Sequence, residues 1–348
     1  MIEPFRIAVT RDCLRTDSSP AFVDIDTKVL DDAEGIEWAI MEEHFAEVKP
    51  DQLVGFDGLF LFAPKLTPTS LEGADRLTVV ARLGVGYDSV DVDACSERGI
   101  ALTITPDAVR RPVASSVMAL MLALAHRIPT KDRLTRQGRW DDRIDHMGVG
   151  LTNRVLGVVG LGNIGTEVFR LAAPFDMKFL ATDPHASPEL AGQLGVTLVD
   201  IEELMSTADF VCICCALTDE TRGLINSAKF QLMKPTAFFI NVARGPIVDQ
   251  FALVEVLQNC AIAGAGLDVF SEEPVEVHEP ILQLDNVIVS PHAIAWTDEL
   301  MASMGTTAMQ SLLDVAAGRP PENVVNRDVL KNHRFLKRLR ENRSKNGV

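Results

Sequence analysis

Short apolar runs separated by helical patterns fill the first third of the chain. Runs bounded by turn residues predict strands at 5–10, 57–62, 77–81 and 100–104. A helical pattern at 90–97 lies between the last two of these strands. This alternation is typical of a small parallel sheet in an α/β domain.

A second and more regular series of apolar runs begins at Val155. It predicts strands that start there and continue at 177–182, 208–215, 237–242, 261–267 and 286–290. Helical patterns accompany these runs at 166–173, 227–233 and 250–258. Repeated units of this kind predict a doubly wound parallel sheet, in which ligands bind at the carboxyl ends of the strands.

A glycine-rich turn joins the strand that begins at Val155 to the helix after it. Residues 160–165 read Gly-Leu-Gly-Asn-Ile-Gly and match the fingerprint of dinucleotide-binding domains. Gly160 allows the tight turn, Gly162 lets the backbone approach a diphosphate, and Gly165 lets the helix pack closely on the strand. The diphosphate would lie over the N–H groups at the start of the helix.

An acidic residue stands at the distance from these glycines that the fingerprint requires. The next predicted strand, 177–182, ends at Asp183, about 20 residues past the glycines. A carboxylate there accepts hydrogen bonds from the adenine ribose and repels a 2′-phosphate, so NAD is favoured over NADP. A structural turn with a helix-capping Asp is the alternative, but the strand, helix and acid together favour a dinucleotide site.

Two long helical patterns border the second series. The stretch 111–127 has Pro112 at its predicted start and is so apolar that we expect it to be buried between subunits or domains. Residues 130–145 show no regular pattern. The stretch 296–317 predicts a helix that returns the chain to the first domain.

These patterns predict two domains, which also agrees with a length of 348 residues. A discontinuous substrate domain comprises 1–106 and 297–330, and a dinucleotide-binding domain comprises 107–296, with the active site expected in the cleft between them. The last segment, 331–348, carries seven Lys or Arg and one Glu and predicts a solvated, frayed basic tail.

The amino-acid composition limits the kinds of binding partner and the cellular compartment that we expect for the protein. The formal net charge of −16 argues against a nucleic-acid or anionic-membrane binder. We expect a cytoplasmic protein, because there is no signal-peptide layout and the six cysteines form no disulfide framework. Cys212, Cys214 and Cys215 lie on one predicted strand, whose alternation directs them to two faces, so no metal site is expected.

Ionisable residues follow three of the predicted strands. They are Arg244, the pair Glu272 and Glu273, and His292. Reduction of a 2-oxo acid needs a cation for the carboxylate and carbonyl, which suits Arg, and a proton donor near neutral pH, which suits His. A carboxylate beside a histidine raises the histidine pKa and fixes its tautomer. Singly, a surface Arg or a turn His is an ordinary feature, but three strand ends of one sheet favour an active site.

With these motifs the chain resembles the D-isomer-specific 2-hydroxyacid dehydrogenase family, which includes phosphoglycerate dehydrogenase and glyoxylate/hydroxypyruvate reductase. The resemblance covers about 5–325, and its signatures lie at 158–165, 232–245, 266–274 and 290–292. It implies two doubly wound parallel-sheet domains, a Rossmann NAD domain and a smaller flavodoxin-like substrate domain.

The resemblance also implies roles for individual residues. Arg244 would bind the substrate, His292 would be the acid/base, and Glu273, which directly precedes the proline, would be its carboxylate partner rather than Glu272. Asp268 resembles the residue that contacts the nicotinamide carboxamide.

The same residue-by-residue comparison with the family implies further contacts. Asn163 and Ile164 would lie on the diphosphate, and other residues would line the cofactor, namely Val85, Cys215, Val242 and Ala243. Arg82 begins a loop that resembles the substrate loop of the family. The backbone N–H groups of Leu83 and Gly84 would bind the substrate carboxylate there.

The activity implied is hydride transfer between NAD(H) and a small D-2-hydroxy acid or 2-oxo acid, by a homodimer formed through the 111–127 helix. An NAD(H)-sensing scaffold of the co-repressor type and a phosphite-type dehydrogenase stay open as alternatives. The formate-oxidising branch has Gln where this chain has Glu273, which counts against formate. The chain departs from the family at 113–116 and 293–298, so the resemblance does not name the substrate.

Overall fold

A computed structural model describes residues 3–22 and 24–345 of the chain. The chain divides into two compact units, one formed by Met1–Val109 with Thr297–Val348 and the other by Arg110–Trp296. Each unit contains one parallel sheet, with five strands in the first and seven in the second. The predicted fold class, two parallel-sheet α/β domains, is confirmed.

The sheet of the first unit has the strand order β2-β1-β3-β4-β5, which is the flavodoxin-like order. Its strands are β1 (Phe5–Val9), β2 (Ile36–Ile40), β3 (Gly58–Leu61), β4 (Val79–Arg82) and β5 (Ala101–Thr103). Two short helices belong to this part of the chain, α1 (Lys28–Asp31) and α2 (Val92–Glu97). The edge strand β2 is only half-buried, which explains why its sequence has no continuous apolar run.

The long apolar helix α3 (Pro106–Ala125) begins five residues earlier than the sequence predicts. Pro112 therefore lies inside the helix, not at its start, and the hydroxyls of Ser115 and Ser116 donate to the Pro112 carbonyl at 2.7 and 2.9 Å. Helix α3 is long and apolar enough to cross a membrane, but about 61% of its most apolar window is buried inside the protein. Its apolar side chains form part of the core of the second unit.

The sheet of the second unit has the order β12-β11-β10-β9-β6-β7-β8. Its strands are β6 (Val155–Val159), β7 (Lys178–Thr182), β8 (Val196–Leu198), β9 (Phe210–Ile213), β10 (Phe238–Asn241), β11 (Gly264–Leu267) and β12 (Val287–Val289). The helices after α3 are α4 (Ile128–Arg136), α5 (Asn163–Ala172), α6 (Pro188–Leu194), α7 (Ile201–Thr207), α8 (Ser227–Phe230) and α9 (Gln250–Gln258). The strand order reverses between β6 and β9, and such a switch point is where ligands bind in doubly wound sheets.

Two apolar clusters cover the two faces of this sheet. Val158 and Cys212 belong to the cluster that contains helix α3, whereas Val159, Val211 and Ile213 belong to the opposite one. Because neighbouring side chains of a strand point to opposite faces, these fully apolar strands are buried on both sides. This double burial accounts for the continuous apolar runs in the sequence.

Two helices return the chain to the first unit. They are α10 (Asp298–Ala316), whose N-cap Thr297 accepts a hydrogen bond from the Leu300 N–H at 3.1 Å, and α11 (His333–Lys345). The prediction of a frayed tail is wrong for 333–345, because Phe335 and Leu339 are buried and anchor α11. Residues 346–348 of that predicted tail lie outside the described residues.

Candidate active site

The glycine turn after β6 is shaped by close backbone contacts. Gly160 has φ 100°, and a Cβ there would lie 2.7 Å from the Cys215 nitrogen. A Cβ on Gly165 would lie 2.1 Å from the Gly160 carbonyl oxygen. At Gly162, the N-cap of α5, a Cβ would meet no atom within 4 Å. The turn therefore leaves open space beside the start of α5, which fits the diphosphate of a dinucleotide.

Asp183 follows β7 and lies beside this turn. Its Oδ2 accepts a hydrogen bond from the Leu161 N–H and its Oδ1 accepts one from the His185 N–H, each at 2.8 Å. The sequence places an acid here for the ribose but does not predict the bond to Leu161. The carboxylate thus holds the glycine turn, and its contact with the ribose stays a prediction.

Three of the predicted cofactor-lining residues follow β9 and β10. Cys215 comes after β9, and Val242 and Ala243 come after β10, all at the carboxyl edge of the sheet. Burial raises the pKa of the Cys215 thiol to about 11. The thiol is therefore neutral at physiological pH, so Cys215 lines the edge as a small apolar group and not as a nucleophile.

His292 and Glu273 form a direct pair. His292 Nδ1 and Glu273 Oε2 are 2.7 Å apart, and Glu273 Oε1 accepts a hydrogen bond from the Phe270 N–H at 3.0 Å. Burial alone raises the pKa of Glu273, but the hydrogen bonds from His292 and from Phe270 outweigh it, so the pKa of Glu273 lies below its ordinary value. Glu273 is therefore a carboxylate at neutral pH.

Arg244 belongs to the neighbouring strand end, and its charge contributes to the low pKa of Glu273. The buried side chain of Asn241 shapes its loop by donating to the Arg244 carbonyl and accepting from the Ala243 N–H, each at 3.0 Å. Next to it, a Cβ on Gly245 would lie 1.7 Å from the Phe270 carbonyl oxygen. Only glycine permits this packing, which brings the Arg244 loop against the segment that leads to Glu273.

Asp268 organises the turn that carries His292. Its side chain is buried, and its Oδ1 accepts hydrogen bonds from the Ser290 hydroxyl at 2.6 Å and from the Ala293 and Ile294 N–H groups at 2.9 and 3.1 Å. The His292 N–H donates to the Asp268 carbonyl at 2.8 Å while His292 adopts a left-handed conformation with φ 54°. Sequence reasoning assigned Asp268 to the nicotinamide only and gave Ser290 and Asn241 no role.

The three catalytic candidates thus lie on adjacent strand ends of the second unit. Arg244 follows β10, Glu273 follows β11 and His292 follows β12, and these strands are neighbours in the sheet. The arrangement provides a cation for a carboxylate and a histidine whose ring orientation is fixed by a carboxylate.

The loop after β4 in the first unit differs from expectation. The Leu83 N–H donates to the Leu61 carbonyl at 2.9 Å, and the Gly84 N–H donates to the Thr105 hydroxyl at 3.0 Å. These amides are therefore engaged within the unit and do not face a substrate carboxylate, which corrects the prediction made for them. In the described part of the chain, the N–H groups of Val85 and Gly86 have no protein acceptor.

Among residues 3–22 and 24–345, no three His, Cys, Asp or Glu side chains are grouped so that they could hold a metal ion.

Comparison with known proteins gives a consistent result. The profile of the family described as "D-isomer specific 2-hydroxyacid dehydrogenase, NAD binding domain" matches residues 118–293. A glyoxylate reductase of Thermococcus onnurineus is 35% identical over 300 residues, which cover 84% of this chain and 90% of that protein. A D-3-phosphoglycerate dehydrogenase of Methanocaldococcus jannaschii is 42% identical over 263 residues, which cover 75% of this chain. The chain spans about half the length of the phosphoglycerate dehydrogenases it matches.

Solved structures agree with this result. A 2-hydroxyacid dehydrogenase from Ketogulonicigenium vulgare superposes with a TM-score of 0.78 at 28% identity, covering 93% of this chain and 99% of the other. A D-lactate dehydrogenase from Aquifex aeolicus, complexed with NAD and lactic acid, superposes with a TM-score of 0.79 at 26% identity, covering 93% and 97%. The predictions of the fold and of NAD as the cofactor are confirmed.

Proposed function

Because this chain belongs to the D-isomer-specific 2-hydroxyacid dehydrogenase family, we propose that it transfers a hydride between NAD(H) and a small D-2-hydroxy acid or 2-oxo acid through Arg244, Glu273 and His292. The observation that carries this proposal is the 2.7 Å contact between His292 Nδ1 and Glu273 Oε2 beside the Arg244 loop. A histidine oriented in this way has its other ring nitrogen available for a substrate oxygen.

Each of these side chains has a defined role in the proposed reduction. NAD(H) supplies the hydride when it is bound. Arg244 binds the substrate carboxylate and polarises the carbonyl, and His292 donates a proton from Nε2 to the oxygen as the C–O double bond is reduced. Glu273 stabilises the imidazolium form and keeps Nδ1 protonated. In the oxidative direction His292 accepts the hydroxyl proton.

We propose that the second unit supplies most cofactor contacts together with Arg244 for the substrate, and that the first unit supplies Val85 for the cofactor and further groups for the substrate. The cofactor would be held by the turn 160–165 with Asn163 and Ile164, by Asp183 at the ribose, and by the residues proposed to line it, namely Val85, Cys215, Val242, Ala243 and Asp268. In the first unit, Arg82 and the N–H groups of Val85 and Gly86 would bind the substrate, because the Leu83 and Gly84 amides already have acceptors.

The substrate class is tested with a panel of oxo acids. We expect NADH oxidation with one class among glyoxylate, pyruvate, hydroxypyruvate and 3-phosphohydroxypyruvate to exceed that with the others by at least about tenfold, since one added group changes pocket binding by about that factor. Absence of turnover across the panel while NADH binds tightly would contradict the proposal and favour a sensing scaffold.

We further propose that the protein is a cytoplasmic homodimer. All six cysteines are free in the structure, which agrees with a reducing compartment. Helix α3 buries its apolar side chains in its own unit. We therefore place the dimer contact on residues 140–147, which follow α4 and in which Trp140, Ile144 and Met147 are 60%, 75% and 77% exposed. Light scattering should give twice the 38.0 kDa chain mass for the wild type and less for Ile144→Ser with Met147→Ser; equal masses would contradict this interface.

A further inference from the structure

The segment that carries Glu273 is held at both ends by one side chain. Gln250 is the first residue of α9, and its amide makes two hydrogen bonds at 3.0 Å. Its Oε1 accepts from the Ser271 N–H, and its Nε2 donates to Glu279 Oε1. Ser271 and Glu279 bound the segment 271–279, in which Glu273 lies.

This segment has little other support from its own burial. Residues 271–274 and 276–278 are exposed, Val277 is 74% exposed, and Val275 is the half-buried apolar residue that packs against the core. The N–H of the buried residue Phe270, which precedes the segment, also donates to Glu273 Oε1 at 3.0 Å, so Glu273 has one anchor besides the bonds of Gln250. The amide of Gln250 connects the segment to α9, which buries Ala252, Leu253 and Leu257 in the core.

The chemistry of an amide suits this position. The Ser271 N–H needs an acceptor and the Glu279 carboxylate needs a donor, and the side-chain amide of Gln provides both on one planar group. We propose that Gln250 is a positioning residue that fixes the segment 271–279 so that Glu273 meets His292. This inference rests on the proposed function, because it concerns the orientation of the proposed acid/base.

Several charged groups surround the pair of His292 and Glu273, so displacement of Glu273 must be distinguished from the effect of a newly added charge. Glu272 and Glu273 lie on the segment itself, Arg244 lies on the loop after β10, and Asp268 lies after β11, where its carbonyl accepts from the His292 N–H. A new carboxylate near His292 would stabilise the imidazolium, whereas loss of Glu273 from its place would destabilise it. Displacement and added charge therefore move the alkaline limit of oxo-acid reduction in opposite directions.

The substitution Gln250→Glu tests the proposal. It keeps an acceptor for Ser271 but removes the donor to Glu279 and places two carboxylates together. We expect turnover at pH 8 to fall by about 10- to 100-fold, as for a misplaced catalytic group, with the alkaline limit moved to lower pH and the NADH Kd unchanged. Gln250→Glu combined with Glu279→Gln restores a donor–acceptor pair and should recover the wild-type profile.

The control is Gln258→Glu, the same change at the exposed end of the same helix, which should leave the profile unchanged. An alkaline limit that moves to higher pH in Gln250→Glu would overturn the proposal. So would a folded double variant whose turnover and pH profile do not recover.

If the wild type itself shows no turnover, the proposed function fails separately. The position of Glu273 is then inferred from the imidazole NMR signal of His292, which is identified because His292→Asn removes it. The titration of this signal should move to lower pH in Gln250→Glu and return to the wild-type pH in the double variant. An unmoved titration would refute the inference.

Discussion

At the scale of single residues, the site rests on the contact between His292 and Glu273 and on the buried Asp268 that holds the His292 turn. From the sequence, the fingerprint glycines and Asp183 could be named by motif spacing, and Arg244, Glu273 and His292 by the chemistry of their strand ends and the family resemblance. The supporting bonds could not, because they depend on where loops from different strands meet. Nothing in the sequence spacing indicates that Asp268 would accept from the Ala293 and Ile294 N–H groups.

The Glu273 carboxylate gives a prediction for pH dependence. In Glu273→Gln the imidazolium of His292 loses its neighbouring charge and deprotonates earlier, so the alkaline limit of oxo-acid reduction should move to lower pH. The low pKa of Glu273 means that the wild-type pair is present above that pKa and is lost as the pH falls through it. Steady-state rates from pH 5 to 9 measure the alkaline limit, and superimposable profiles of the wild type and Glu273→Gln would remove Glu273 from the mechanism.

Asp183 gives a prediction for cofactor choice. Asp183→Asn removes the charge but keeps one acceptor for the Leu161 N–H, so the glycine turn should persist. Discrimination between NADH and NADPH should decrease by about tenfold, the effect of roughly 1.4 kcal/mol of lost repulsion and ribose bonding. Binding titrations with both cofactors test this, and an unaltered preference would refute the ribose role.

At the scale of elements, most strands and long helices were predictable from apolar patterning, and the exceptions have physical reasons. Helix α4 (Ile128–Arg136) is largely exposed and buries only Leu134, so its pattern is too weak to detect. Strand β2 is half-exposed at the edge of its sheet. Helix α11 appeared to be a tail because its charged face dominates the sequence, while its anchors are only a few buried residues.

The cofactor helix α5 contains a buried acid that offers a prediction for stability. The Glu167 side chain is 8% exposed and pairs with Arg111 at 2.5 Å and with Arg170 at 3.3 Å. The hydrogen bond from Arg111 is the main reason that the pKa of Glu167 is lowered. Its stabilisation is therefore present above the ordinary glutamate pKa and is lost as the pH falls through the lowered value.

Glu167→Gln should reduce the unfolding free energy at pH 7 by about 1–2 kcal/mol, a value discounted for the exposed guanidinium groups. The difference from the wild type should vanish at low pH. Urea unfolding at several pH values measures it, with Glu202→Gln as a control in a surface pair. A loss that is the same at all pH values would contradict the assigned cause.

At the scale of the whole molecule, the basic helix α11 belongs to a chain with a net negative charge, and its arginine contacts explain its place in the fold. The Arg338 guanidinium lies against the first unit and donates to the carbonyls of Leu77 at 2.8 Å and Asp75 at 2.9 Å. It also reaches the carbonyls of Arg98 and Gly99 at the end of α2. The basic helix therefore completes the first unit, and its composition alone could not indicate this.

Arg338→Met should destabilise the first unit by about 1–2 kcal/mol, because the part-buried carbonyls of Leu77, Arg98 and Gly99 lose their donor. Lys337→Met, which removes a charge from an exposed ion pair, is the matched control. Thermal unfolding of both variants tests the assignment. Equal melting temperatures for Arg338→Met and the wild type would show that α11 does not depend on these bonds.

His292 is the residue that we propose to transfer the proton during hydride transfer. The most direct measurement is the turnover number for NADH oxidation by the wild type and by His292→Ala, with the oxo acid that the panel selects, together with the NADH Kd of each. We expect turnover to fall by at least about 100-fold, the contribution of a general acid, while the NADH Kd stays within about twofold. Turnover that survives the substitution would contradict the role of His292.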